Sequence, residues 1–394
     1  MRRFIHRLPR MVLLFLLIEF LDELVYGAME AAWPLIRDDL GLSYTQIGLA
    51  LTLPGLVSIF IEPLLGVLGD GARRRTLVLG GGVVFCAALA LYTAAPSFEL
   101  LLLAAVLIAP ASGAFVSLSQ ATLMDLEPQR HEQNMARWTF AGSAGVVAGP
   151  LLLSLFIFLG LGWRGAMGGL AFVALAVLLL AWRGFPLKPL QAEAEDDPDL
   201  PLLESLRRAL LLLKRGAVLR WVVLLEFSDL MLDVLYSFLA LYFVDVVKMD
   251  PGTAALAVSV WTVVGLAGDF LLIPLLERVK GLDYLRVSVV LELILYPAFL
   301  LVEPLWLKLV LLGLLGFFNS GWYSILQGNL YGELGKQSGV ILVLDNVAAI
   351  VSRFIPLGLG LAAQQFGLNT AMWLLLLGPL ALLVGLPRKK KGTG

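Results

Sequence analysis

The sequence predicts an all-α polytopic membrane protein with twelve transmembrane helices in two six-helix bundles. Three observations carry this prediction. First, 59% of the 394 residues are hydrophobic and only 15% are charged, against roughly 45–50% apolar and about 25% charged in a soluble domain; the mean hydropathy is +0.89. Second, twelve apolar runs, each close to the roughly 20 residues that cross a bilayer core, fill most of the chain. Third, polar residues in the first half recur in the second at one constant spacing. This composition excludes a soluble globular enzyme, a disordered chain and a basic nucleic-acid binder, so a lipid bilayer is expected as the surrounding medium and no nucleic acid as a partner. A single cysteine, Cys86, lies in an apolar run and excludes a disulfide framework. His6 and His131 both fall in polar segments, which excludes a His-rich metal or proton site.

The spans follow in order. The first, 11–35, opens behind Arg2, Arg3, Arg7 and Arg10. It lacks a small-residue cleavage site and continues through carboxylates to Trp33 and Pro34, so it reads as a retained span rather than a secretory signal. Spans at 44–69, 76–95, 98–124, 137–160 and 164–183 complete an amino-terminal bundle, residues 1–184. Residues 185–217 form a linker in which Pro186, Pro189, Pro198 and Pro201 flank an acidic run. The linker ends in a short amphipathic helix with Arg207, Arg208, Lys214 and Arg215 on one side, a pattern expected to lie at the membrane surface. Spans at 219–245, 252–276, 284–302, 305–331, 339–363 and 369–387 build the second bundle, residues 218–394.

Orientation follows from the basic residues. With the amino terminus inside, only Arg37, Arg164, Lys248 and Lys308 of the 29 Lys and Arg residues fall in outer loops, and Arg353 falls within a span. Such segregation is the positive-inside pattern. It places both termini in the cytoplasm, with Arg388-Lys389-Lys390-Lys391 closing the last span, and implies a multi-pass protein of a plasma or inner membrane.

The repeat has an offset of 207 residues. Glu19-Phe20-Leu21-Asp22 aligns with Glu226-Phe227-Ser228-Asp229, Glu62 with Asp269, and Asp70 with Glu277. Farther on, Ser117 aligns with Ser324 and Gln120 with Gln327. Apolar matches are cheap in such a chain, so only these polar coincidences count. Duplicated six-helix halves with a binding site at the midplane are a recurrent plan of secondary transporters.

The loop between the second and third spans makes the comparison specific. Gly66-Val67-Leu68-Gly69-Asp70-Gly71-Ala72-Arg73-Arg74-Arg75 resembles the loop signature of the major facilitator superfamily, matching at Gly66, Leu68, Asp70, Arg74 and Arg75. Gly71 replaces that signature's first arginine and Arg73 its second glycine. The resemblance implies that Gly66, Asp70, Arg74 and Arg75, with Glu277 and Arg278 in the second copy, act as a conformational latch. In span five, Gly145-Val146-Val147-Ala148-Gly149-Pro150 resembles the helix-bend signature of the superfamily's exporters, although Leu153 and Ser154 stand where those carry a glycine pair. Residues 20–70 are similar to exporters of the fosmidomycin-resistance type, sharing Asp22, Pro34, the Leu42–Gly48 stretch, Pro63, Leu64, Gly66 and Asp70.

Acid inside the spans is the chemical signal. Glu19, Asp22, Glu23, Glu30, Glu62, Glu226, Asp229, Asp233, Asp269, Glu292 and Asp345 all fall in apolar runs, accompanied away from the span ends by one cation, Arg353. Each charge at a span centre costs roughly 2.5–3.5 kcal/mol on an insertion scale, so these groups should face water, share protons or be neutral. Glu19, Asp22, Glu23, Tyr26 and Glu30 follow one helical face, as do Glu226, Asp229, Asp233 and Tyr236. With no histidine in the spans, the repeat-matched acids Glu19, Asp22, Glu62, Glu226, Asp229 and Asp269 are the expected proton carriers. Glu30 sits near the outer end of its span and reads as solvated; Glu292, in span nine, reads as structural. The resemblance implies that spans one, four, seven and ten line a central cavity. On that basis Glu23, Tyr26, Gln120, Asp233, Tyr236, Gln327, Asn329 and Arg353 are candidate substrate contacts. Trp138, Trp322 and Tyr323 are either stacking surfaces or interfacial anchors.

The function expected is a proton-coupled exporter, an antiporter of a small organic, cationic or amphiphilic solute, working as a monomer by alternating access. It would use no cofactor and draw on a proton gradient. The fosmidomycin-type resemblance implies an anionic or varied drug substrate instead, and the acid-rich faces weigh toward cations. Three alternatives stand beside it. One is a divalent-cation carrier using Glu19, Asp22, Glu226 and Asp229; the second is a lysolipid or amphiphile carrier. The third is a membrane receptor that moves no solute. An enzyme is not expected, for there is no His-Glu-x-x-His helix, Gly-x-Ser-x-Gly turn or phosphate loop.

Overall fold

A computed structural model of the chain describes residues 10–69, 73–126, 131–184, 211, 213–334 and 350–387. Among these residues the secondary structure is helical, without strands. Most of the linker with Arg207 and Arg208 of its amphipathic stretch, Asp70, and Asp345 in span eleven lie outside the described residues.

The amino-terminal helices are α1 (Arg10–Leu40), α2 (Tyr44–Gly69), α3 (Arg74–Ala94), α4 (Phe98–Ser112), α5 (Leu118–Leu126), α6 (His131–Phe158) and α7 (Gly162–Gly184). One π turn, Gly113–Ser117, joins α4 to α5 within a single span. The second half holds α8 (Gly216–Asp229), a π turn at Leu230–Val234, α9 (Leu235–Asp245), α10 (Pro251–Leu276), α11 (Gly281–Leu301), α12 (Leu305–Asn319) and α13 (Trp322–Leu334). It ends with α14 (Ile355–Phe366), α15 (Leu368–Met372) and α16 (Leu377–Gly385). Nine of the described helical stretches are long and apolar enough to cross a membrane by length and composition. The acid-bearing α1, the α8–α9 stretch interrupted by its π turn and the described part of the eleventh span fit the expected twelve.

Helices form because apolar residues, leucine and alanine prominent among them, dominate the runs, and because in hydrocarbon every backbone group must be bonded within its own segment. Large apolar side chains such as Phe60, Phe158, Phe172, Leu301, Trp306 and Val384 stay exposed on the protein. In water this would be a liability; in a bilayer it is the lipid-facing surface.

By contacts the chain divides into two units. The first comprises residues 1–197 and 240–259. Here α1 packs chiefly on α6 and α7, and α3 on α4 and α7. The loops at one end of this unit are tied by Arg164, whose guanidinium donates to the Asp39 carboxylate (3.0 Å) and to the Thr93 and Ala95 carbonyls (2.7 and 2.8 Å). Residues 240–259 join this unit through an ion pair of Arg37 with Asp245, a Tyr44 hydroxyl bond to Asp245 (2.5 Å) and a Ser154 bond to the Gly252 carbonyl (3.1 Å). The second unit comprises residues 198–239 and 260–394; within it α8 packs on α13 and α16, and α11 on α12 and α16.

Asp250 caps α10. Its carboxylate accepts from the Thr253 amide (3.0 Å) and hydroxyl (2.5 Å), and Pro251 occupies the first helical position, where no amide is needed. The two Thr253 bonds hold the Asp250 carboxyl below the usual carboxylate range. A depressed acid stabilises the fold above its unfolded value, near pH ~4, and that contribution fades as pH falls through the folded value. Asp250→Ala should therefore cost about 1 kcal/mol at neutral pH. Thermal melts of wild type and variant should converge as the pH is lowered toward 3 or below.

Candidate functional site

The site is built separately in each half. In the first, the acidic face of α1 lies against the glycine face of α6. A Cβ placed on Gly145 would sit 2.5 Å from the Phe20 carbonyl oxygen and 2.8 Å from the Glu23 Cβ. One on Gly149 would strike the backbone nitrogen of Ala28, and one on Gly142 would lie 2.6 Å from a Glu19 carboxylate oxygen. Small residues at three- and four-residue spacing thus let two helix backbones touch. Pro150 sits inside the uninterrupted α6, and its ring packs against Gly27. The glycine signature read in span five therefore has a definite local consequence: it sets the depth of α1 and the position of its acids.

Glu19 is buried, and the charges of Glu23 and Asp22 bear on it. Asp22 accepts a hydrogen bond from the Ser112 hydroxyl at 2.8 Å. Ser112 is the last residue of α4, immediately before the π turn. Glu62, on α2, lies against that same turn, its Cγ 3.1 Å from where a Cβ of Gly113 would be. Gln120, one turn farther along, donates to the Met135 sulfur at 3.5 Å. Glu23 and Tyr26 are half-buried on the same face of α1.

Glu30 departs from the expectation of a solvated outer group. It is 7% exposed, turned into the bundle, with the buried Tyr92 hydroxyl within its electrostatic reach. Its place on the acidic face carries it inward, although its position along the span is near the outer end.

In the second half, Asp229 ends α8 and Asp233 lies inside the π turn. The two carboxyl groups lie within hydrogen-bonding reach of each other, and Arg353 is within electrostatic reach of both. Glu226, one turn earlier, also bears on Asp229. Residues four apart already share one side of a helix, so Asp229 and Asp233 lie together there, and the π turn between them is a feature that recurs at functional sites. Tyr236 is buried and stacks on Trp261, with ring centroids 5.6 Å apart.

The tenth span is broken between α12 and α13, at Ser320 and Gly321. Gly321 has φ +75°, and a Cβ there would collide with Leu272, so the break requires glycine. Side chains gather on the polar groups it frees. Tyr284 donates toward the Phe318 and Ser320 carbonyls (3.4 and 3.1 Å), and the Gly321 backbone bonds Asp269. Asn319 donates its amide to the Met231 carbonyl at 3.0 Å. The offset of 207 carries Gly113 to Ser320, Ser112 to Asn319 and Glu62 to Asp269. The two halves therefore place an irregular turn at the same repeat position, each flanked by an acid of the second helix and joined by a polar side chain to the first.

Gln327 is half-buried on α13, and Asn329 donates to the Ile325 carbonyl of its own helix at 2.7 Å. Trp322 is fully buried and donates to the Ser288 hydroxyl (2.8 Å), which makes it a core residue rather than an anchor or a stacking surface. Trp138 is buried and Tyr323 exposed. Of the latch residues, Gly66 lies in the last turn of α2, Arg74 pairs with Asp125 of the same bundle, and Arg75 donates to the Trp182 carbonyl at 3.2 Å. Glu277 and Arg278 are exposed in the turn after α10. No cluster of three or more metal-ligating residues occurs among the described residues. Sequence reasoning missed Ser112 and Asn319; their matching repeat positions were the available signal, hidden because the two residues differ.

The fold and these paired acidic faces define a duplicated, polytopic helical membrane protein. The chain belongs to the Major Facilitator Superfamily, whose sequence profile matches residues 15–353. Among relatives, it is 27% identical to the transcription regulatory protein OpdE of Pseudomonas aeruginosa, covering 84% of this chain and 80% of that protein. It is 29% identical to a chloramphenicol resistance protein of Pseudomonas aeruginosa over 46% of this chain and 43% of that one. Among solved structures, the nucleoside transporter NupG superposes with a TM-score of 0.75 at 14% identity, covering 97% of this chain and 100% of that one. A bacterial homologue of the human lysosomal transporter Spinster, inward-facing and occupied, gives a TM-score of 0.73 at 15% identity, covering 95% and 93%. Family and fold together identify a membrane transporter rather than an enzyme.

The α1–α6 crossing yields a direct prediction. Gly149→Leu should lower stability by roughly 1–3 kcal/mol through overpacking against the α1 backbone. Gly168→Leu, whose Cβ would meet only the Thr93 methyl at 3.5 Å, should cost less. Thermal melts of the two detergent-purified variants measure the difference.

Proposed function

We propose that the chain is a proton-coupled exporter of small organic solutes, cationic or amphiphilic, working by alternating access. The observation that carries this reading is the close Asp229–Asp233 pair, set at a π turn and repeated in outline by Asp22 and Ser112 beside the other π turn. Ionised carboxylates are acceptors only. Two of them that bond each other hold a proton between them, and loss of that proton leaves two like charges facing one cation. Such a pair exchanges a proton for a positive solute with little change in net charge. Arg353, close to both acids, keeps the deprotonated pair from carrying its full double charge.

The chloramphenicol resistance relative supports export, and the absence of a metal-ligating cluster among the described residues gives no support to the divalent-cation alternative. Localisation to a plasma or inner membrane with both termini inside, and a monomeric state, belong to this same reading. A second reading has one specific observation in its favour: OpdE, matched over most of both chains, carries a regulatory name, which favours a receptor that moves no solute.

Proteoliposomes separate the two. With an inside-acid gradient imposed on inside-out protein, a lipophilic organic cation such as tetraphenylphosphonium should accumulate several-fold, and collapse of the gradient should abolish this. Asp229→Asn and Asp22→Asn should each lower gradient-driven accumulation by at least about tenfold, equivalent to ~1.4 kcal/mol of coupling. Flux indifferent to the gradient would overturn proton coupling, and no flux for any organic cation, anion or lysolipid offered would leave the receptor reading in possession.

A further inference from the structure

We propose that Glu292 is an internal proton site of the carboxy-terminal bundle, reached from the Asp269 side along a polar face of α11. It goes beyond the coupling acids named above and does not rest on the direction or substrate of transport.

Glu292 lies in the middle of α11 and is 0% exposed. Neither carboxyl oxygen has a hydrogen-bond partner among the described residues. A buried ionised carboxylate without donors is far costlier than a buried polar group, and the usual resolution is that the group keeps its proton. Among the described residues of the helices packed on α11, the one cation is Lys308. Lys308, on α12, is committed to the Phe299 carbonyl at 2.6 Å and lies over the Phe299 ring, toward the outer end of the bundle. Glu333 on α13 is exposed, as is Tyr323. Residues 368–386, which include α15 and α16, contain no titratable side chain. On α11 itself, Tyr296 is bonded to the Met372 carbonyl at 2.9 Å.

A route to this carboxyl is written along the same helix. Tyr284, Ser288 and Glu292 recur at every fourth residue and so share one face, in steps of about 6 Å. Ser288 is buried and accepts from Trp322. Tyr284 holds its hydroxyl at the break in the tenth span, within electrostatic reach of both Asp269 and Glu292. Asp269, at the near end, is exposed and bonded to the Gly321 backbone. An exposed acid, a phenol, a hydroxyl and a buried acid therefore follow one another from the break into the bundle. Steps of this length need one water molecule or a side-chain swing each, and the break, where the backbone is already open, is where such movement is cheapest. The only chemical step is gain or loss of a proton at a Glu292 oxygen, its counterpart being Asp269 or water.

Infrared spectroscopy on the full chain in lipid nanodiscs tests this without any substrate. At neutral pH the wild type should show a protonated-carboxyl stretch that Glu292→Gln lacks. That band should convert reversibly to carboxylate as the pH is raised. Its exchange in deuterium oxide should be roughly tenfold slower in Tyr284→Phe, where one hydroxyl of the route is lost. Superimposable carboxyl regions in wild type and Glu292→Gln would overturn the proposal. So would a band that neither titrates nor exchanges, because it would mark an inert neutral acid. Glu292→Met keeps the test open should the glutamine variant fail to fold. With no donor to lose, it should melt at or above the wild-type temperature while losing the band, and a lower melting temperature would identify a hydrogen-bonded structural carboxyl instead.

Discussion

Hydrocarbon offers no hydrogen bonds, and every other feature of this protein follows from that constraint. A helix that runs unbroken meets the constraint by itself; a helix that breaks, or that carries acid, must find partners on its neighbours. The chain breaks or widens its helices at Gly113–Ser117, at Leu230–Val234 and at Ser320–Gly321. At each of these places polar side chains gather. Ser112 bonds Asp22 beside the first, Asn319 bonds the Met231 carbonyl inside the second, and Tyr284 and Asp269 close the third. Acids and irregular backbone are two sides of one arrangement, since each relieves the polar groups the other exposes.

Duplication explains why the arrangement occurs twice, and divergence explains why the two copies differ. The fourth span of the first half widens into a π turn where the tenth breaks outright, and the residue before it is Ser112 in one copy and Asn319 in the other. The longer asparagine side chain reaches a backbone carbonyl, Met231, that the π turn has freed in the seventh span. The first span has no such turn: α1 is continuous, and the glycines of α6 hold it by direct backbone contact. One half thus keeps its acids in place by close packing, the other by an opened helix and an arginine. In the proposed reading, rigid placement on one side and a shared proton on the other divide the work of coupling a proton to a solute.

Much of this was legible in the sequence. Composition and run length pointed to the helical membrane fold, and the polar coincidences at an offset of 207 residues picked out Glu62 and Asp269 as a matched pair. The 3.6-residue period placed Glu19, Asp22 and Glu23 on one face, and the structure sets that face against α6. What period cannot supply is the neighbour. An apolar residue facing lipid and one facing a helix look alike, so the burial of Glu30, Glu292 and Trp322 was not visible. The π turns were hidden too, because they need no special residue and arise from packing between helices. Position along a span misled for Glu30, where the direction of the side chain mattered more than its depth.

The central claim is that a proton and a solute compete for the same carboxyl pair. Proton release from purified protein in weakly buffered solution, on addition of tetraphenylphosphonium, measures this competition directly. The account predicts release of a proton on binding, lost in Asp229→Asn while the cation still binds weakly. Saturating binding of the cation with no proton released between about pH 6 and 8 would contradict it.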